Sequence, residues 1–217
     1  MLIVEDLMLL LLDDETGTPA AAGTLYYTLG GAVLVELALM GRVEIDGSKV
    51  RAVGSDPLPD PLLQDAFDKV AEKPRGAQTL LITIGSGLYE PVIERLLEHG
   101  LIRREKKRVL GLFSMNQLPA ADAEHEAAVR ARIRAVLVDG EQPDTRTAAL
   151  AALLSASGAL PMLRPQLAWS GPVQQRAKEL EQGNWGAAAV NTAVARTAAA
   201  LAVSTAAVAV TVVTVPS

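Results

Sequence analysis

Two long apolar stretches occur in the first forty residues of the chain. Residues 1–12 are apolar except for two adjacent carboxylates, and residues 25–40 contain Glu36 as their only charge. Gly41 follows the second stretch, at the position where a helix commonly ends in a left-handed cap. Stretches that are apolar on all sides predict helices buried in the interior of a domain.

Patterns with a single apolar face follow further along the chain. The segment at Asp60-Pro61 combines a capping residue with proline at the first helical position, and the apolar residues after it fall on one helical face. Similar patterns, punctuated by glycine and proline, predict helix for most of the remaining chain. One predicted helix begins at Pro61, and the others span residues 88–99, 122–138, 145–157, 173–182 and 185–213.

Two short segments carry the pattern of a β-hairpin. Residues 42–51 alternate polar and apolar side chains around Asp46-Gly47, which is a strong short-range hairpin signal. Residues 101–113 follow Gly100 and predict a second hairpin, with the charged block 103–108 at its tip and residues 109–113 as its second strand. A helix, a glycine and a hairpin thus occur twice, which is too few to define a repeat architecture.

The composition narrows the fold class and the kinds of function. Of 217 residues, 50% are hydrophobic and 3% aromatic, a mix that favours close-packed helices over a β-sandwich. The absence of cysteine excludes disulfides and thiolate chemistry and fits the reducing cytoplasm. The net charge of -5 argues against a general nucleic-acid binder. We predict a single mainly α domain over residues 1–217 with two β-hairpins.

Apolar runs at the two ends of the chain are interpreted as core helices. The first, residues 1–12, contains Glu5 and Asp6 and has neither a basic start nor a small-residue cleavage site. The last, residues 197–215, has no charge and is long enough to span a bilayer. Its Ala, Val, Thr and Ser residues each bury little apolar area, so membrane insertion is weakly driven.

No segment groups the side chains that catalysis or metal binding needs. His99 and His125 lie at predicted helix ends without a second ligand at metal spacing, and we interpret them as capping or solvated groups. Asp13-Asp14-Glu15 lacks the glycine and alternation of a calcium loop and predicts a solvated turn. Gly85-Ser86-Gly87 lacks the lysine of a phosphate-binding loop. We expect neither catalytic activity nor a cofactor.

The most specific chemical feature is a basic block in the second hairpin. Five cations within six residues adjoin apolar residues. This composition suits anionic lipid, where each cation contributes about 1 kcal/mol and apolar side chains enter the headgroup region. A charged edge ribbon that opposes aggregation is an equally open interpretation. The predicted lipid contacts are Arg103, Arg104, Lys106, Lys107 and Arg108, and the predicted insertion or oligomer contacts are Val109, Leu110 and Phe113.

Two further functions compete with membrane binding. In winged-helix DNA-binding domains a helix, a glycine and a basic hairpin occur in this order. The corresponding recognition helix, residues 88–99, carries Glu90, Glu94 and Glu98 against a single Arg95, and such a face repels phosphates. The other alternative is a scaffold that binds only protein, with its hairpin pairing with another copy.

Four sequence blocks, taken in combination, are specific enough to indicate a protein family. They are Glu5 with the leucines at 9–12, Leu-Val-Glu-Leu-Ala-Leu-Met-Gly-Arg-Val at 34–43, Arg-Leu-Leu-Glu-His-Gly-Leu-Ile at 95–102 and Asp-Thr-Arg-Thr-Ala-Ala-Leu at 144–150. In order and spacing they resemble the Golgi phosphoprotein 3 family, which includes the yeast vacuolar-sorting adaptor. The resemblance implies a mainly α fold, a helical bundle around a buried central helix with two peripheral β-hairpins, and no enzymatic activity. It also implies binding to phosphatidylinositol 4-phosphate and to glycosyltransferase cytoplasmic tails, with a hairpin that contributes to membrane contact and self-association.

The resemblance also locates the family's lipid-headgroup pocket, which uses one tryptophan and several arginines. By spacing, these positions fall at Ala21, Gly30, Ser86 and Tyr89. None of the four residues supplies the guanidinium fork that holds a phosphate through two hydrogen bonds. We therefore expect a retained fold with a changed lipid preference, for anionic phospholipid in general over a specific phosphoinositide.

Together these features predict a peripheral membrane adaptor. We expect it at the cytoplasmic inner face of a membrane, self-associating through the hairpin at 101–115, with cytoplasmic tails of membrane proteins among its partners and no nucleic acid. The Ala- and Arg-rich, Lys-poor composition is typical of a GC-rich bacterial genome, and such a cell has no Golgi.

Overall fold

Residues 1–20, 22–109, 113–163, 167–183 and 199–205 are described by a computed structural model of the protein, with residues 107–109 and 113–116 described by their backbone alone. Most of these residues are helical, and two small antiparallel sheets accompany the helices. The predicted mainly α fold class with peripheral hairpins is confirmed.

The first two helices lie at the centre of the core. Helix α1 (Ile3–Leu11) is buried along its whole length, including its two carboxylates. Helix α2 (Leu25–Leu39) is buried over most of its length, and other helices pack on it from several sides. Gly41 follows with φ 68°, the left-handed conformation that glycine adopts without strain. Both helices and the glycine cap confirm the predictions from the apolar stretches.

A helix that the sequence pattern did not reveal, α4 (Ala77–Gly85), packs along α2. Glycines allow the two backbones to approach closely. A Cβ atom at Gly30 would overlap the carbonyl group of Leu81, and a Cβ atom at Gly85 would overlap that of Tyr26. Gly30 and Gly85 therefore serve the packing of α2 against α4, although the sequence around Gly85 resembles a loop.

Replacing Gly85 by alanine is expected to lower the free energy of unfolding by about 2–3 kcal/mol, because the added methyl group forces α2 and α4 apart. Gly87→Ala is the matched control, since a Cβ atom at Gly87 meets nothing within 4 Å. Urea denaturation of both variants measures the difference. Equal stability of the two variants would contradict the close contact between the helices.

The first hairpin forms as predicted and pairs with a third strand. Strands β1 (Val43–Asp46) and β2 (Lys49–Ala52) are antiparallel around the predicted turn, and β3 (Arg75–Gly76) pairs with β2. At the base of this sheet the Arg42 guanidinium lies 4.5 Å from the centre of the Phe67 ring. This cation–π contact attaches the hairpin to the helix that follows it.

Several of the remaining helices begin at capping residues. The Asp60 carboxylate accepts hydrogen bonds from the backbone N–H groups of Leu62 and Leu63, and Asp144 accepts one from Thr147. The observed bounds agree with the predicted ones to about two residues, the usual uncertainty of helix ends. The helices are α3 (Pro61–Ala71), α5 (Tyr89–Glu98), α6 (Ala123–Leu137), α7 (Thr145–Ala156) and α8 (Gly171–Glu181), with a 3-10 turn at Leu160–Leu163.

The structure tests the prediction for the first apolar end of the chain and only part of the prediction for the last. Residues 1–12 contribute α1 to the core, as predicted. The predicted helix at 185–213 and the apolar run at 197–215 lie outside the described residues except for 199–205, which are helical. Among the helices that the structure describes, none is both long and apolar enough to cross a bilayer.

Candidate membrane interface

The second hairpin begins directly after α5. Gly100, with φ 70°, turns the chain, and a bridge between Ile102 and Ala120 starts the pairing at the hairpin base. Strands β4 (Glu105–Val109) and β5 (Phe113–Gln117) then pair antiparallel. The predicted hairpin is confirmed, but its predicted turn is wrong, because the connection falls between 109 and 113.

The basic block at 103–108 therefore comprises the two residues before β4 and the first four residues of β4. It does not form the tip of the hairpin. Charged side chains, lysine above all, are common on exposed edge strands, where they oppose aggregation. Successive strand residues point to opposite faces. Glu105 and Lys106, whose side chains are described, are neighbours in β4 and therefore lie on opposite faces of the hairpin.

Three of the predicted lipid contacts have described side chains, and all three are exposed. The Arg103 Nε atom lies 2.6 Å from Glu105 Oε1 within the same strand region. The Arg104 guanidinium forms an ion pair with Glu94 on α5, and both side chains are at least half exposed. Lys106 has no ion pair among the described side chains. Lys107 and Arg108 lie outside the described side chains, so their lipid contacts stay predictions.

Glu94 belongs to this surface, although the sequence pattern indicates only that it lies on a helix face. It lies ten residues before Arg104, across the turn at Gly100, and no helical or strand spacing connects the two positions. The adjacency arises because the hairpin begins beside the end of α5. The possibility of such a pair could have been inferred only from the topology of the fold.

Two of the three predicted insertion residues flank the hairpin connection. Val109 ends β4 and Phe113 begins β5, and the two are partners in the strand register. Leu110 lies outside the described residues. Their position next to the connection agrees with a contact at the far end of the hairpin, and the insertion role stays a prediction.

The four headgroup-pocket positions occupy dissimilar environments. Gly30 is buried against α4, where no side chain fits without moving the Leu81 backbone. Ser86 is exposed at the end of α4, and Tyr89 is half-buried at the start of α5. Burial raises the pKa of Tyr89 above its ordinary value, and the nearby Glu90 adds to the rise. Ala21 lies outside the described residues.

A buried carboxylate joins α1 to α5 behind this surface. Glu5 has 0% exposure, and its Oε1 atom lies 2.5 Å from Nε of Arg95. Its second oxygen accepts a hydrogen bond of 2.6 Å from the backbone N–H of Leu2. The same guanidinium reaches Asp60, with 2.8 Å between Nη2 and Oδ2. Arg95 therefore connects three elements: α1, the start of α3 and α5.

A second ion-pair cluster joins α1 to α2 and α7. The Arg146 Nη1 atom lies 2.8 Å from Glu36 Oε1, and its Nη2 atom lies 3.7 Å from Asp6 Oδ2. The other oxygen of Glu36 accepts a hydrogen bond of 2.5 Å from the backbone N–H of Ile3. Arg146 and the α1 backbone thereby satisfy the buried Glu36 carboxylate.

Both histidines approach the adjacent carboxylates of α1. The His125 Nε2 atom is 2.8 Å from Asp6 Oδ1, so the prediction of a merely capping or solvated group is wrong for His125. His99 is about half exposed at the end of α5, and its Nε2 atom is 3.6 Å from Glu5 Oε1. Helix periodicity carries no information on such distant pairs. No group of three potential metal ligands occurs among the described residues.

The acidic turn after α1 uses its first carboxylate locally. Asp13 Oδ1 accepts hydrogen bonds from the backbone N–H and the hydroxyl group of Thr16, and these bonds lower the pKa of Asp13. Asp14 instead pairs with Arg130 on α6, with 2.8 Å between Oδ1 and Nη2. The triplet thus forms a turn that contacts α6 through Asp14. The prediction of a solvated turn holds only for Asp13 and Glu15, which are exposed.

The fold and this surface define a mainly helical domain that carries an ion-paired core and a basic hairpin. The sequence blocks that supply the ion pairs, around Glu5, Glu36, Arg95 and Arg146, are separated along the chain but meet at α1. The family model of Golgi phosphoprotein 3 (GPP34) matches residues 3–197. The chain belongs to this family, as its sequence blocks indicated. A search of curated proteins finds no match. The family is one of non-enzymatic, Golgi-associated adaptors that bind phosphoinositides.

Proposed function

We propose that this protein is a peripheral membrane adaptor that binds anionic phospholipid through the basic hairpin. The observation that carries the proposal is the exposure of Arg103, Arg104 and Lys106 on one short ribbon of an otherwise acidic chain. Family membership supports the same kind of partner. Because the block 103–108 is strongly cationic, the rest of the chain is more acidic than the total of -5. An acidic body beside a cationic ribbon favours one orientation at a negative surface.

The lipid preference follows from the chemistry of the available cations. Lysine and arginine side chains on an exposed strand attract any negative leaflet, in proportion to its charge. Recognition of one phosphoinositide needs a pocket in which guanidinium forks hold the phosphate. At the position of the family's first pocket arginine this chain has Gly30, packed against the Leu81 backbone. We therefore propose general anionic phospholipid as the ligand.

The proposal includes self-association through residues 101–115. Within the described residues, β4 and β5 form a sheet of two strands, so each strand has one edge without a partner. Unpaired edges are templates for pairing with another chain. The proposed location is the inner face of a membrane, and cytoplasmic tails of membrane proteins are proposed as further partners on the basis of the family alone.

Substitution of Lys106 and Lys107 by glutamine is expected to weaken binding to anionic vesicles about 30-fold, since two cations contribute about 2 kcal/mol. Vesicles of phosphatidylcholine with and without phosphatidylserine, at low and high salt, provide the measurement by co-flotation. Binding of the unmodified protein should be lost at high salt because exposed charges are screened.

The matched control is Lys49→Gln with Arg51→Gln, which removes two exposed cations from the first hairpin. Replacement of phosphatidylserine by phosphatidylinositol 4-phosphate at equal vesicle charge should leave binding unchanged. Absence of binding to anionic vesicles, or equal losses in both double variants, would overturn the proposal. A change in oligomeric mass without any vesicle binding would favour the protein-only scaffold.

A further inference from the structure

The exposed face of α5 carries three carboxylates beside the hairpin base. Glu90, Glu94 and Glu98 follow one another at four-residue spacing, so they share a helix face, and all three are exposed. Of these, Glu94 forms the ion pair with Arg104 of the basic block. Within the part of the chain that the structure describes, this pair joins a cation of the block to a different secondary-structure element.

We infer that Glu94 is an intramolecular competitor of the membrane for Arg104 and thereby sets the affinity of the hairpin for anionic lipid. This inference rests on the proposed function. A phosphate group in the leaflet and the Glu94 carboxylate offer the same guanidinium the same kind of charge-assisted hydrogen bond. Arg104 therefore contributes fully to membrane binding only after its pair with Glu94 opens.

The exposure of the pair makes such opening feasible. The Arg104 and Glu94 side chains are 58% and 50% exposed, and ion pairs at this exposure contribute little to stability. A leaflet presents many anionic groups at once and displaces a single carboxylate. The ion pair between Arg103 and Glu105 differs from this one, because Glu105 belongs to the hairpin itself and not to another element.

Glu94→Gln and Glu90→Gln together separate this competition from a simple effect of charge. Both substitutions remove one negative charge from the exposed face of α5, whereas only Glu94 contacts Arg104. We expect Glu94→Gln to raise the partition coefficient on phosphatidylserine-containing vesicles about 3-fold over Glu90→Gln, as the release of one cation implies. Circular dichroism checks that both exposed substitutions leave the fold intact.

A double-substitution cycle with Arg104→Gln completes the test. In the Arg104→Gln background the change Glu94→Gln should match Glu90→Gln, because the competing pair no longer exists. If the unmodified protein binds the vesicles but Glu94→Gln and Glu90→Gln behave alike, the inference is wrong and the proposed function stands. If no variant binds anionic vesicles, the proposed function itself fails.

Discussion

Replacement of Arg95 by methionine is expected to lower the free energy of unfolding by about 3–5 kcal/mol, because it leaves buried carboxylate without its cation. Glu5 has 0% exposure, and its oxygen lies 2.5 Å from Arg95 Nε. Methionine preserves much of the apolar volume of the arginine stem, so the measured loss reports mainly on charge. Urea denaturation followed by circular dichroism at neutral pH provides the measurement.

The control for Arg95 is Arg51→Met in the first hairpin. Arg51 pairs with Glu44 at 52% and 44% side-chain exposure, and loss of such a pair costs about 0–1 kcal/mol. The double change Glu5→Gln with Arg95→Met should recover more than half of the loss, since it removes the buried charge and keeps an acceptor for the Leu2 N–H group. Similar losses for Arg95→Met and Arg51→Met would show that the burial of Glu5 has no energetic consequence.

Local sequence patterns predicted most helices because their signals lie within a few residues of one another. Asp60 with Pro61 determines the start of α3, and Gly41 ends α2. The apolar stretch at 25–40, in which Glu36 is the only charge, also predicted that α2 is buried. The start, the end and the burial of a helix are properties of one element, so the pattern of residues within that segment is enough to predict them.

The remaining features depend on contacts between distant segments. Helix α4 was missed because Gly85 resembles a loop residue until α2 is placed against it. The ion pairs of Glu5 with Arg95 and of Arg104 with Glu94 likewise require the folded arrangement of α1, α5 and the hairpin. The family resemblance identified the blocks that contain Glu5 and Arg95 without giving a physical role for them, and the structure assigns them to one buried cluster.

Glu126 on α6 is a buried carboxyl group with an unusual proton affinity. It is 4% exposed and forms an ion pair with Arg130, which also holds Asp14. Burial raises the pKa of Glu126 to about 7, and the attraction of Arg130 opposes this rise while Asp14 adds to it. Neither Glu126 Oε1 nor Arg130 Nε has a well-aligned hydrogen-bond partner among the described residues, so the pair compensates burial only in part.

The free energy of unfolding is therefore expected to decrease as the pH rises from about 5 to 8. Unfolding returns the Glu126 carboxyl group to a pKa near 4.5, whereas the folded group titrates near 7, so the folded state binds more protons between these values. Full ionisation above pH 7 removes a contribution of about 3 kcal/mol. Urea denaturation across this range should show a flatter profile for Glu126→Gln, which cannot ionise, while Glu124→Gln, an exposed neighbour, keeps the slope. Parallel profiles for Glu126→Gln and the unmodified protein would mean that Arg130 already holds Glu126 ionised in the folded protein at pH 5.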